Sequence, residues 1–149
     1  MLGRHEEALR MEREVYSGRL KLNGEEHEQT LVAANNYAAS LIGLQRFEEV
    51  KAIMRKTIPA ARRVLGDSHE FTLGMRRLYA TALYRDPGAT LDDLHEAVTT
   101  LEEIERTARR VLGGAHPLTA GIEKALRDAR AALRARKMLP PSSSPSESV

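Results

Sequence analysis

Three histidines stand at the same place in three similar phrases. His27 lies in LNGEEHEQTL (22–31), His69 in VLGDSHEFTL (64–73) and His116 in VLGGAHPLTA (111–120), each within Gly-x-x-His-x-x-Thr. Neutral imidazoles are common metal ligands and proton carriers, so one chemistry to consider is a shared metal or a proton relay. The competing reading is architectural: one unit repeated, with the motif as its corner. Zinc ligands must all lie about 2 Å from one ion, whereas packed helices stand about 8–10 Å apart. Equivalent points of successive repeats are too distant to converge, so the corner is the better reading. No cofactor is expected.

Other catalytic signatures are missing. Asp92-Asp93 and Glu102-Glu103 read as helix-face charges, with no paired histidine or apolar pocket to tune them as catalytic acids. The sequence holds no Gly-rich phosphate loop, nucleophile elbow or HExxH motif. A non-enzymatic role is therefore expected.

The elements that position the corners follow from the repeat. Gly24 to Gly66 spans 42 residues and Gly66 to Gly113 spans 47. GRHEEAL (3–9) matches QRFEEVK (45–51) at the 42-residue offset and DDLHEAV (92–98) more loosely. The extra residues of the second period fit RDPGAT (85–90), whose Asp-Pro-Gly reads as a turn. Each period holds two helical stripes: Leu31, Ala34, Tyr37, Ala38, Leu41 and Ile42 in one, Phe47, Val50, Met54, Ile58, Ala61 and Leu65 in the next. The second period gives Phe71–Arg85 and Leu91–Leu112, with lone helices at about 4–22 and 117–137. Leu73, Leu83, Leu101 and Ile104 join the expected core. Pro59 should kink or split its helix near Ile58.

At the corners, Gly24, Gly66 and Gly113 suit the left-handed position after a helix end. Arginine or lysine crowds each preceding turn, facing the negative helix end. Pro117 fits the first position of the helix that follows. The histidines then stand at helix entrances, packing or capping.

Composition sets the outer bounds. The 149 residues are 42% hydrophobic and 30% charged, a balance that suits a thin helical protein with much surface. With no cysteine there are no disulfides or thiolate sites, and a reducing interior is permitted. No apolar run reaches membrane-spanning length and the amino terminus carries no signal-peptide pattern, so a cytoplasmic location and no membrane partner are expected. A net charge of +2 with six aromatic residues gives nucleic acid little to hold. LPPSSSPSESV (139–149) has the Pro/Ser composition of a disordered tail, with a Ser144-Pro145 phosphorylation pattern and a faint PDZ-type ending.

A repeated two-helix unit whose second helix opens with GRHEEAL or QRFEEV resembles the tetratricopeptide repeat. The 42-residue period, TLVAANNYAASL (30–41) and RRVLGDSHEFTL (62–73) make it similar to the kinesin light chain type. The sequence departs from that pattern at Gln45, where the family usually has a turn glycine, and at Arg77-Leu78, where Asn35-Asn36 is not repeated. No heptad segment of the heavy-chain-recruiting kind is present. The resemblance implies an all-α, right-handed tetratricopeptide-like solenoid of antiparallel helix pairs with about six helices. It would occupy 1–137, followed by the tail at 138–149, and the chain could be a piece of a longer parent with further repeats.

In that family first helices line the concave face. Carried over position by position, Asn35 corresponds to Arg77 and Lys124, Ala39 to Thr81 and Asp128, Val32 to Gly74 and Gly121, and Ile42-Gly43 to Tyr84-Arg85. The implied groove is Asn35, Ala39, Arg77, Thr81, Tyr84, Arg85, Lys124 and Asp128, suited to an extended, acidic peptide: the asparagine bonds peptide backbone and the arginines fork onto carboxylates. The expected function is a non-catalytic protein-interaction module. Two alternatives are an RNA-binding repeat using Arg62-Arg63, Arg76-Arg77 and Arg109-Arg110, and a fragment that self-associates through unfinished ends.

Overall fold

The computed structural model describes residues 2–139. The tail positions Ser144-Pro145 and 147–149 lie outside the described residues. Six helices follow one another: α1 (Leu2–Asn23), α2 (Glu28–Gly43), α3 (Phe47–Val64), α4 (Glu70–Arg85), α5 (Leu91–Leu112) and α6 (Pro117–Met138). This is an all-α, tetratricopeptide-like helical repeat.

Neighbouring helices run antiparallel, as their cross-links show. Along α4 and α5, Tyr79 donates to Glu96 at 3.2 Å while the earlier Arg76 reaches the later Glu103 at 3.2 Å. Each helix packs on the next in sequence, and α4 also packs on α2 and α6, whereas the backbones of α1, α3 and α5 stay apart and α1 and α3 meet only through side chains such as Tyr16 and Thr57. The row α2–α4–α6 is therefore the close-packed inner side, and α1, α3 and α5 splay apart outside.

The sequence periodicity explains the core. Leu31, Tyr37, Leu41, Phe47, Val50 and Met54 are buried, as are Leu73, Leu83, Leu101 and Ile104. One cluster fills the space among α1, α2, α3 and the near face of α4 (Met75, Ala82), and a second lies among α4, α5 and α6. Tyr79 packs against both, so the two are continuous through α4.

The corner glycines have the expected positive φ: 84° at Gly24, 93° at Gly66 and 89° at Gly113. At Gly113 the ψ of 156° lies beyond the left-handed helical well, in a region that glycine alone tolerates. A fourth positive φ, 60°, falls on Gln45, the position where a turn glycine was missing.

At Pro59 a kink or a split is expected, and the split does not occur: α3 does not end near Ile58 but continues to Val64. Pro59 and Arg55, four residues earlier, are both exposed, while Thr57, Ala60 and Ala61 are buried. The Arg55 carbonyl that loses its partner thus lies on the solvent side, and packing holds the other side.

The longer second period is also not all loop. α5 starts at Leu91, ahead of Leu94, the counterpart of Phe47, so part of the insertion becomes helix. Thr90 and Asp93 make this start stable: each side chain bonds the other's backbone N–H, at 3.1 and 2.9 Å. The remaining turn is anchored. Asp86 takes the Gly88 N–H at 2.9 Å and the buried Lys51 ammonium at 3.1 Å, and Arg136 donates to the Ala89 carbonyl.

Candidate functional site

The three histidines resolve first. His27, His69 and His116 are N-caps of α2, α4 and α6, and each Nδ1 accepts the backbone N–H two residues on, from Gln29, Phe71 and Leu118 at 3.1, 3.1 and 3.0 Å. An Nδ1 lone pair given to a backbone N–H is not available to a metal, and it fixes the neutral imidazole with its proton on Nε2. The motif threonines, Thr30, Thr72 and Thr119, are buried beneath the caps. Thr30 Oγ1 donates to the Arg19 carbonyl at 3.2 Å, while the Thr72 and Thr119 hydroxyls have no protein partner among the described residues.

Between α2, α4 and the start of α6 lies an open cavity of about 340 Å³. Asn35 and Ala39 of α2 form one wall, and Gly74, Arg77 and Leu78 of α4 the other, with Phe71 and Leu118 at one end. The Asn35 Oδ1 is buried and has no hydrogen-bond partner among the described residues. The Arg77 guanidinium lies against Gly121 of α6, so closely that a Cβ there would fall 2.1 Å from a guanidinium nitrogen. Gly121 thus makes the room that Arg77 occupies, which accounts for a glycine in a helix interior where it costs about 0.5–1 kcal/mol. Among the described residues Arg77 has no ion-pair partner.

The other expected groove residues divide. Thr81 donates to the Arg77 carbonyl at 2.9 Å. Tyr84 is partly buried, and its phenol is pushed up by that burial and by Asp128, against a weaker downward pull from Arg85, Thr81 and Lys124. Lys124 and Asp128 are exposed and pair with each other at 3.0 Å, so this rung of the ladder is neutralised within one helix turn. Arg85 leaves the row: its guanidinium stands 5.7 Å from the centre of the Phe47 ring, over the start of α3.

Sequence reasoning missed Phe71, Leu118 and Glu70, which also line the cavity. A signal existed. Phe71 and Leu118 both stand two residues after a corner histidine, and the His69 and Phe71 rings stack with centroids 5.7 Å apart. Glu70 places an acid at the same end, 3.8 Å from His116 Nε2, so the cavity carries both signs of charge.

The arginine pairs are largely spent within the chain. Arg62 bonds Asp67 at 2.5 Å, Arg63 bonds Glu26 at 2.7 Å, and Arg109 reaches both Glu105 and Glu123 at 3.0 Å. A basic stripe for phosphates needs cations free of such partners.

The model of the tetratricopeptide repeat family matches residues 1–29 and 30–70. No curated protein and no solved structure matches the chain. The second matched stretch holds α2, α3 and the corner that follows, one full helix pair. With the same helix–corner–helix unit running on through α6, the match supports a tetratricopeptide repeat protein.

Proposed function

We propose that this protein is a non-catalytic adaptor, of the 42-residue kinesin light chain-like kind, that binds an extended acidic peptide along α2, α4 and α6. Tetratricopeptide repeats generally mediate protein–protein interaction, which supports the general role. The observation that carries the finer reading is the pairing of two unmet groups in one cavity. Among the described residues the Arg77 guanidinium has no carboxylate partner, and the shielded Asn35 Oδ1 lacks a donor. A peptide supplies both, a carboxylate for the first and a backbone N–H for the second. Phe71, Leu78 and Leu118 offer an apolar anchor beside them. Tyr84, Thr81, Lys124 and Asp128 extend the row toward the other end, and the working compartment is the cytoplasm.

Binding of acidic peptides selected from a random library, followed by fluorescence anisotropy, tests this. Exposed ion pairs contribute about 0–1 kcal/mol each, so affinity should be modest and should fall with salt. Arg77→Glu should weaken binding more than Lys124→Glu, because Asp128 already holds Lys124. A library that yields no binder, or peptides indifferent to Arg77→Glu and Asn35→Ala, removes the groove reading. RNA binding lost on neutralising Arg62-Arg63 and Arg109-Arg110 would replace it.

A further inference from the structure

The two ends of the repeat stack are finished differently. In the middle of the fold α4 faces α5 with Leu73, Ala80 and Leu83, all buried. Their counterparts on α6 are Ala120, Arg127 and Arg130, all exposed, and Arg130 is paired to Glu102 at 2.9 Å. As far as Arg134 that edge is dressed for water, with Met138 exposed beyond it.

The α1 edge is not. Ala8, Met11, Val15, Gly18 and Leu22 follow one another at alternating three- and four-residue steps, the spacing of a helix–helix seam. Their counterparts on α3 include Val50, Thr57 and Ala60, which are buried, as are Ala97 and Ile104 on α5. On α1 Met11 is 59% exposed and Val15 52%, with Ala8 exposed as well; Leu22 is exposed too, but so are its counterparts Val64 and Val111. Beside them Val32 and Asn36 of α2 complete a groove of about 530 Å³ with Val15 and Arg19. The seat is one that, elsewhere in the fold, an antiparallel helix fills.

We propose that a second copy of this chain fills it, giving a two-fold symmetric dimer through α1. A two-fold axis across the seam runs the two α1 helices antiparallel, the orientation of every pair of consecutive helices in the fold. With Met11 against the second copy's Val15, Ala8 meets Gly18 and the backbones approach closely. Glu7 then lies beside the second copy's Lys21, twice by symmetry. Both are exposed, and neither has an ion partner within the chain among the described residues. Glu14 meets its own counterpart on this flank, and Glu12, which accepts from Ser40 of α2, meets its own on the other. A two-fold contact uses the same patch on both copies and is closed, so it gives a dimer and no filament.

Sedimentation velocity on the full chain should give twice the monomer mass at high concentration, dissociating on dilution. Val15→Lys should return the mass to that of a monomer, with helical circular dichroism unchanged and the thermal midpoint that of the wild-type chain diluted until it dissociates. The chain has no cysteine, so a mixture of Met11→Cys and Val15→Cys copies reports register. Under mild oxidation, disulfides should form between the two variants in preference to either with itself. A monomer at every concentration, an association that survives Val15→Lys, or Met11→Cys linking chiefly to itself would each overturn the proposal.

Discussion

Gln45 carries a backbone cost that its neighbours do not. Its φ of 60° is one that an L side chain enters at about 1–2 kcal/mol. Gln45→Gly should therefore raise stability by about 0.5–1 kcal/mol in urea titration, the gain being reduced by the greater freedom of glycine in the unfolded chain. Gly113, at φ 89° and ψ 156°, lies where only glycine is tolerated, so Gly113→Ala should be the reverse and larger case. The corner histidines give a sharper test. If His69 acts through the bond from the Phe71 N–H, His69→Ala should cost about 1 kcal/mol and His69→Asn much less, since an asparagine oxygen also caps. Equal losses in thermal melts of the two variants would assign the role to ring stacking instead.

Among the elements, the α4–α5 turn is the one whose stability should follow pH. Asp86 is held below the usual carboxylate range, first by the Gly88 N–H and then by Lys51. Burial alone would push the Lys51 ammonium down, but its bonds to Glu48 and Asp86 outweigh that and the net direction is up. A depressed carboxylate contributes stability above its unfolded pKa of about 3.9, and the contribution is lost as pH falls through the lower folded value. On the alkaline side a raised lysine does the converse, losing its contribution as pH rises through the folded value. Asp86→Asn should cost about 1–3 kcal/mol at neutral pH and should flatten the acid limb of a stability–pH curve. Unchanged acid unfolding would place that limb elsewhere. Helix pairing has its own measure: Leu41 and Leu101 are both fully buried, one in each cluster, so Leu41→Ala and Leu101→Ala should each cost about 2–5 kcal/mol.

At the scale of the whole molecule, curvature and ends decide what the protein can hold. Close backbone approach of α4 to α2 and α6, without such approach among α1, α3 and α5, bends the stack toward the Asn35–Arg77 cavity. Because Tyr79 joins both core clusters, the repeats should melt together. A single cooperative transition, with Leu41→Ala and Leu101→Ala shifting the same midpoint, is the expected calorimetric result. Two separated transitions would show that the clusters on either side of α4 unfold independently.

The sequence by itself determined the features that arise within one helix or one turn. Apolar spacing marked the buried stripes from Leu31 to Ile104, and the repeated glycine marked each corner, because both depend on local backbone geometry. The Lys124–Asp128 pair was also legible, being an i,i+4 contact of opposite charges, although the resemblance drew both residues into a ligand site. Only the tertiary structure decided the rest. That Gly121 makes room for Arg77 depends on how closely α4 and α6 approach, across 44 residues of chain. That Arg85 turns to Phe47, and that α3 passes through Pro59, depends on which side of each helix faces a neighbour and which faces water. Helical periodicity gives a residue its face; the crossing of packed helices gives that face its partner.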